Sequence, residues 1–146
     1  MILDRTGLLS ENQAITATAA STNVVDLGTP GTPYGASAPL KRDIGRGEGQ
    51  PFYVGVTEPF NNLTSLTIAI QTDSTAAFSA PTTVYTQTYT LADLAPNARH
   101  IGPDWFPVGA NAQFYRMFYT VAGTAPTTGR ITAGTVMARQ TNTGRY

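Results

Sequence analysis

Between Phe114 and Ala138 the chain reads FYRMFYTVAGTAPTTGRITAGTVMA, two runs in which side-chain character alternates from one residue to the next. Strand side chains point to opposite faces of a sheet in turn, so such alternation commits each run to an extended strand with one apolar face. In the first run Tyr115, Met117, Tyr119 and Val121 share a face, opposite Arg116 and Thr120. In the second, Ile131, Ala133 and Met137 alternate with Arg130, Thr132 and Gly134. Gly123, Pro126 and Gly129 lie between the runs and supply turn-forming backbone. The segment predicts an antiparallel hairpin shaped for packing rather than for chemistry.

Other segments carry the same signature. Gln13–Leu27 reads as two short strands around Ala20 and Ser21, with Ile15, Val25 and Leu27 turned inward. Gln50–Thr57 alternates through Phe52, Val54 and Val56; Leu63–Thr72 does so through Leu66, Ile68 and Ile70; Thr83–Leu91 groups Tyr85, Tyr89 and Leu91. Threonine is abundant, and its β-branched side chain suits a pleated surface better than a helix. No window sustains apolar spacing at three and four residues, so no long helix is expected, and Leu91–Ala95 forms at most one short turn. A chain of 146 residues fits a single domain, 1–146, with a Gly/Pro-rich loop at about 28–49 and an irregular stretch over Pro96–Gly109. Short strands separated by turn signals predict an all-β fold, a single-domain jelly roll or antiparallel β-sandwich.

Composition narrows the function classes. Net charge is zero, which argues against a nucleic-acid surface. Cysteine is absent, so neither a disulfide framework nor thiolate chemistry is available. Asp4 and Arg5 follow Ile2 and Leu3 at once, which spoils a secretory signal, and no apolar run approaches the roughly twenty residues of a membrane helix. The expectation is a soluble product without membrane partners, released into the cytoplasm where it is made. Asn62-Leu63-Thr64 matches a glycosylation acceptor, an accidental match in that setting.

Catalytic and metal constellations are not apparent. His100 is the single histidine; Asp104 follows it closely, but no nucleophile is marked out beside them. One histidine and scattered carboxylates make a poor zinc or calcium set, and no cofactor is implied. Gly45-Arg46-Gly47-Glu48-Gly49 has the glycines of a phosphate-cradling loop without the lysine or the helix that such loops need. The chain reads as a non-enzyme.

Contact residues are easier to nominate. Basic residues are nearly all arginine, which is enriched at protein interfaces where lysine is depleted. Lys41, Arg42 and Arg46 form a basic cluster in the long loop, either docking an acidic protein surface or simply solvated. Trp105 and Phe106, between Pro103 and Pro107, either cap the core or expose an anchor. The C-terminal stretch carries Arg139, Arg145 and Tyr146, a loose end or a strap laid on a neighbour.

Several segments, in matching order, resemble the small jelly-roll cement (decoration) proteins of tailed phages, of the type found on a Bordetella podophage capsid. They are the opening MILD, Gln13–Gly28, Asp43-Ile44-Gly45 with Pro51-Phe52-Tyr53-Val54, Ser65–Phe78, and Phe118–Gln140; Thr29–Leu40 departs from the pattern as a Pro- and Gly-rich insertion. The resemblance implies a virion structural protein on the outer capsid surface, made in the host bacterial cytoplasm. It further implies a homo-oligomer, dimer or trimer, that clamps adjacent major-capsid subunits, with no catalytic residue to transfer. The basic loop around Arg42 and Arg46, or the Arg139–Tyr146 end, is then expected to contact the major capsid protein or a sister subunit. Two other readings compete. A carbohydrate- or receptor-binding jelly roll of a tail or spike would stack sugars on Tyr34, Tyr53 or Trp105. A cupin-like enzyme needs several imidazoles where this chain has one.

Overall fold

The computed structural model describes residues 3–94 and 100–138. Eight strands run in order: β1 (Leu3–Ala14), β2 (Ala19–Ala20), β3 (Val25–Asp26), β4 (Phe52–Glu58), β5 (Leu63–Asp73), β6 (Thr82–Thr90), β7 (Phe114–Gly123) and β8 (Arg130–Val136). They form two antiparallel sheets packed face to face. The smaller has the order β1-β8-β4; the larger runs β2-β7-β5-β6, with β3 also paired to β7. The chain between β6 and β7 completes the smaller sheet along the far side of β4. There Ile101 N donates to Val54 O (2.8 Å), Phe52 N to Asp104 O (3.0 Å) and Phe106 N to Gln50 O (2.8 Å). This is a jelly-roll winding in which one strand is reduced to bridges at His100 and Trp105.

The hairpin expected across Phe114–Ala138 does not form. β7 pairs with β5, β2 and β3, whereas β8 lies in the other sheet between β1 and β4. The Gly123–Gly129 connection therefore carries the chain from one sheet to the other. Periodicity gave each strand an apolar face but could not tell neighbours within a sheet from partners across a core. Tyr115, Met117 and Tyr119 on β7, and Ile131 and Ala133 on β8, belong to one buried cluster. Gly129 (φ 134°) lies directly beneath the Phe60 ring, where a Cβ would overlap it, and the backbone conformation itself disfavours any side chain. Asn61 fastens the crossover. Its Oδ1 accepts from Thr127 N (2.8 Å) and Thr128 N (3.1 Å), and its Nδ2 donates to Thr127 Oγ1 (2.8 Å).

Met137 was expected inward and is instead 75% exposed, because β8 ends at Val136. Thr135 takes the last inward place of the alternation and is buried. β1 is the strand that the sequence pattern did not reveal. Gly7, Leu8, Leu9 and Ser10 are buried in succession, and the pairing of β1 with β8 shifts register three times. Each shift breaks the period-two signal on which a sequence reading depends.

Ile15, Phe52, Val54, Val56, Leu66, Ile68 and Ile70 sit where the alternation puts them, at 2% exposure or less. Each such side chain contributes roughly 1.5–3 kcal/mol of burial. Val25, Leu27, Tyr85, Tyr89 and Leu91 pack around this centre, half-buried. One polar relay crosses the core. Tyr119 Oη lies 2.8 Å from Ser10 Oγ, Ser10 Oγ donates to Gln13 Oε1 (2.7 Å), and Gln13 Nε2 donates to Ala20 O (2.8 Å). Burial pushes the Tyr119 hydroxyl pKa well above its ordinary value.

Candidate protein-contact surface

Two segments that the sequence offered separately, the basic loop and the Trp105 region, meet on one side of the molecule. Asp43 joins them. Its Oδ2 accepts from Gly109 N (2.9 Å), its Oδ1 accepts from Gly45 N (3.0 Å), and Arg46 Nε lies 3.3 Å from Oδ2. Desolvation raises the Asp43 pKa, but the Gly109 and Gly45 amides and then Arg46 outweigh it and hold the carboxyl below its ordinary value. Gly45 lies so close to the Pro107 carbonyl that no Cβ fits. Gly49 passes beneath the Trp105 ring in the same way. The loop and the Pro103–Gly109 segment are thus one packed unit, and sequence separation hid it.

Within this unit the nominated residues divide. Arg42 is not a free docking cation. Its guanidinium donates to Leu27 O (2.6 Å) and Gly28 O (2.8 Å), folding the long loop back on its own start. Lys41 is exposed, and Arg46 is solvated apart from Asp43. Trp105 is 45% exposed, so the core-capping role falls to its neighbour. Phe106 is buried, edge-on to Phe52 (centroids 5.5 Å apart) and to Tyr115 (4.8 Å). Val108 (58% exposed) presents a second apolar side chain. Arg139, Arg145 and Tyr146 lie outside the described residues.

His100 and Asp104 do come together, with Nε2 and Oδ1 3.3 Å apart. The imidazole stacks on Tyr53, centroids 5.5 Å apart and 24° from parallel. Burial raises the Tyr53 pKa. Tyr53 in turn lies over Gly55, where a side chain would collide with its hydroxyl. This half-buried stack closes the outer face of β4. Among the described residues no group of three or more His, Cys, Asp or Glu could hold a metal ion. Nor, among them, is any helix long and apolar enough to cross a membrane.

The sheet margins add a feature that the sequence did not signal. β4 is covered by the chain of His100–Phe106, β2 and β3 are two residues each, and β1 is interrupted by its register shifts and carries Asp4, Arg5 and Glu11. β6 is different. It is nine residues long and uncharged, and among the described residues its one strand partner is β5. Natural sandwiches normally guard such an edge with charge, proline or shortness; here a single register shift near Tyr85 interrupts it.

Comparison with known families decides where this sandwich belongs. The family model of Bbp16 matches residues 9–139. The chain belongs to the Bbp16 family. The match takes in the long loop, the Trp105 segment and β2 through β8, so the packed unit around Asp43 falls within it. The name Bbp16 points to a Bordetella phage protein, in keeping with the phage origin implied by the sequence resemblance. No curated protein matches the chain.

Proposed function

We propose that this Bbp16-family chain is a cement protein of the virion. In this reading it sits on the outer surface of the phage head as a homo-oligomer, dimer or trimer, and staples neighbouring major-capsid subunits together. The observation that carries the reading is the β6 edge, open among the described residues, in a sandwich whose other margins are covered, short, or interrupted and charged. An unguarded, uncharged strand edge is a liability in a free monomer and an asset in an assembly, where a strand of a sister subunit or capsid subunit can extend the sheet. The exposed side chains of Trp105 and Val108, on the segment that Asp43, the partner of Arg46, fastens to the long loop, offer a second contact of hot-spot composition. In the same reading Arg139, Arg145 and Tyr146 form a strap laid on a neighbouring subunit.

Multivalency supplies the mechanism. Once one contact is made, the next is intramolecular, and avidity can exceed each single affinity by about 10²–10⁴-fold. A rigid sandwich suits this work because little conformational freedom is lost on binding. No catalytic step, metal or cofactor enters the proposal. The test is to add the purified chain to heads assembled without it and follow DNA release on heating. The reading expects binding and a higher release temperature. Failure to bind, with recognition of a glycan instead, would favour the carbohydrate- or receptor-binding reading of a tail or spike.

A further inference from the structure

Residues Gly31–Leu40 are all exposed, yet the segment is built with care. Its tip is a tight turn: Ala36 N donates to Pro33 O (3.0 Å), with Gly35 at φ 77°. A positive φ at the third residue of a four-residue turn is the type II requirement, and it places Tyr34 at the outer corner. The neck is closed by Leu40 N donating to Gly31 O (3.0 Å). The base is clamped by Arg42 on the Leu27 and Gly28 carbonyls, and by Asp26, whose Oδ1 accepts from Gly28 N (2.7 Å) and from Gln113 Nε2 (2.9 Å). Pro30, Pro33 and Pro39 restrict the backbone further.

None of this construction serves the core. Tyr34 is wholly in solvent, Leu40 is 60% exposed, and a Cβ added at Gly28, Gly31 or Gly35 would meet nothing within 4 Å. A preordered projection with an aromatic at its apex reduces the ordering cost of binding. We propose that Gly31–Leu40 is an insertion finger that seats Tyr34 and Leu40 in an uncharged pocket of a protein partner. The partner's chemistry follows from the finger's own. From Thr29 to Leu40 there is no charged residue and no carboxamide. A charged pocket would gain no counter-ion, and the hydroxyls of a sugar would find only the hydroxyls of Thr29, Thr32, Tyr34 and Ser37 among the side chains to bond. The finger is convex, whereas sugar sites are concave.

This names the seating element of the cement reading and rests on it, with the major capsid protein as the partner. The experiment measures binding of the purified chain to heads assembled without it, comparing wild type, Tyr34→Ser, Leu40→Ser and, as an exposed control elsewhere, Thr124→Ala. Tyr34 packs against nothing, so Tyr34→Ser leaves the unfolding temperature unchanged. Hot-spot truncation predicts binding weakened about thirtyfold or more for Tyr34→Ser, with Thr124→Ala as wild type. Equal binding of wild type and Tyr34→Ser would overturn the finger while leaving the cement reading intact. No binding by wild type would overturn both. Tyr34-dependent capture of a glycan on an array would overturn the protein pocket.

Discussion

Ser10→Ala tests how the two sheets are locked together. Ser10 and Tyr119 are both fully buried, and Ser10 Oγ donates to Gln13, so its oxygen is the acceptor for the Tyr119 hydroxyl. Removing Oγ strands that hydroxyl in the core, at a cost of about 1–3 kcal/mol, and also loses the Gln13 bond, worth about 1 kcal/mol. The expected destabilisation is about 2–4 kcal/mol, a fall of roughly 6–12 °C in unfolding temperature for a chain of this size. Tyr119→Phe alone removes the donor but leaves Ser10 bonded to Gln13, and costs about 1 kcal/mol. In the double variant no hydroxyl is stranded. Its destabilisation should therefore fall short of the sum of the single variants by about 1–2 kcal/mol. Urea unfolding followed by circular dichroism measures all four corners of the cycle. Additivity within about 0.5 kcal/mol would refute the reasoning, since it would mean that the serine does not hold the tyrosine.

Gly129→Ala combines overlap with Phe60 and a positive φ, and should cost about 2–4 kcal/mol in the same assay. Phe106→Ala should cost about 3–5 kcal/mol, while Trp105→Ala costs far less and shows its effect in binding to heads; equal losses of stability would misplace the core boundary. The carboxyls of Asp4, Asp26, Asp43 and Asp73 all titrate below the ordinary value of 3.8 in the folded chain. Their contribution to stability is present above 3.8. As pH falls through the folded values the unfolded chain takes up protons first, so that contribution is lost. Asp73 accepts from Thr75 N (3.0 Å) and Ala80 N (3.0 Å), so Asp73→Asn should flatten the acid limb of the stability–pH curve; an unchanged limb would contradict the assignment.

The strands with clean alternation were legible from the sequence because each has one inner and one outer face. Leu66, Ile68 and Ile70 of β5 are the clearest case. β1 was not legible, because four consecutive buried residues and repeated bulges erase the period. The pairing of β7 and β8 was not legible either, since alternation reports burial and leaves the choice of neighbour to tertiary structure. Among the site residues, Trp105 and Arg46 emerged on the surface, while Arg42 turned inward. A basic residue in a loop is as able to bind backbone carbonyls as a partner, and only the fold brings Leu27 and Gly28 to it. Asp43 was missed because its partner Gly109 is remote in sequence and a backbone amide carries no side-chain signal. The open edge of β6 depends on what lies beside the strand, which its own residues do not encode.

The central claim is that this chain is built into the phage head in a repeating arrangement. Quantitative mass spectrometry of purified particles, counting it against the major capsid protein, tests that claim most directly. The account predicts hundreds of copies, near parity with the capsid subunits, as a surface cement requires. A handful of copies per particle would point to a tail or spike, and complete absence from the particle would contradict the account.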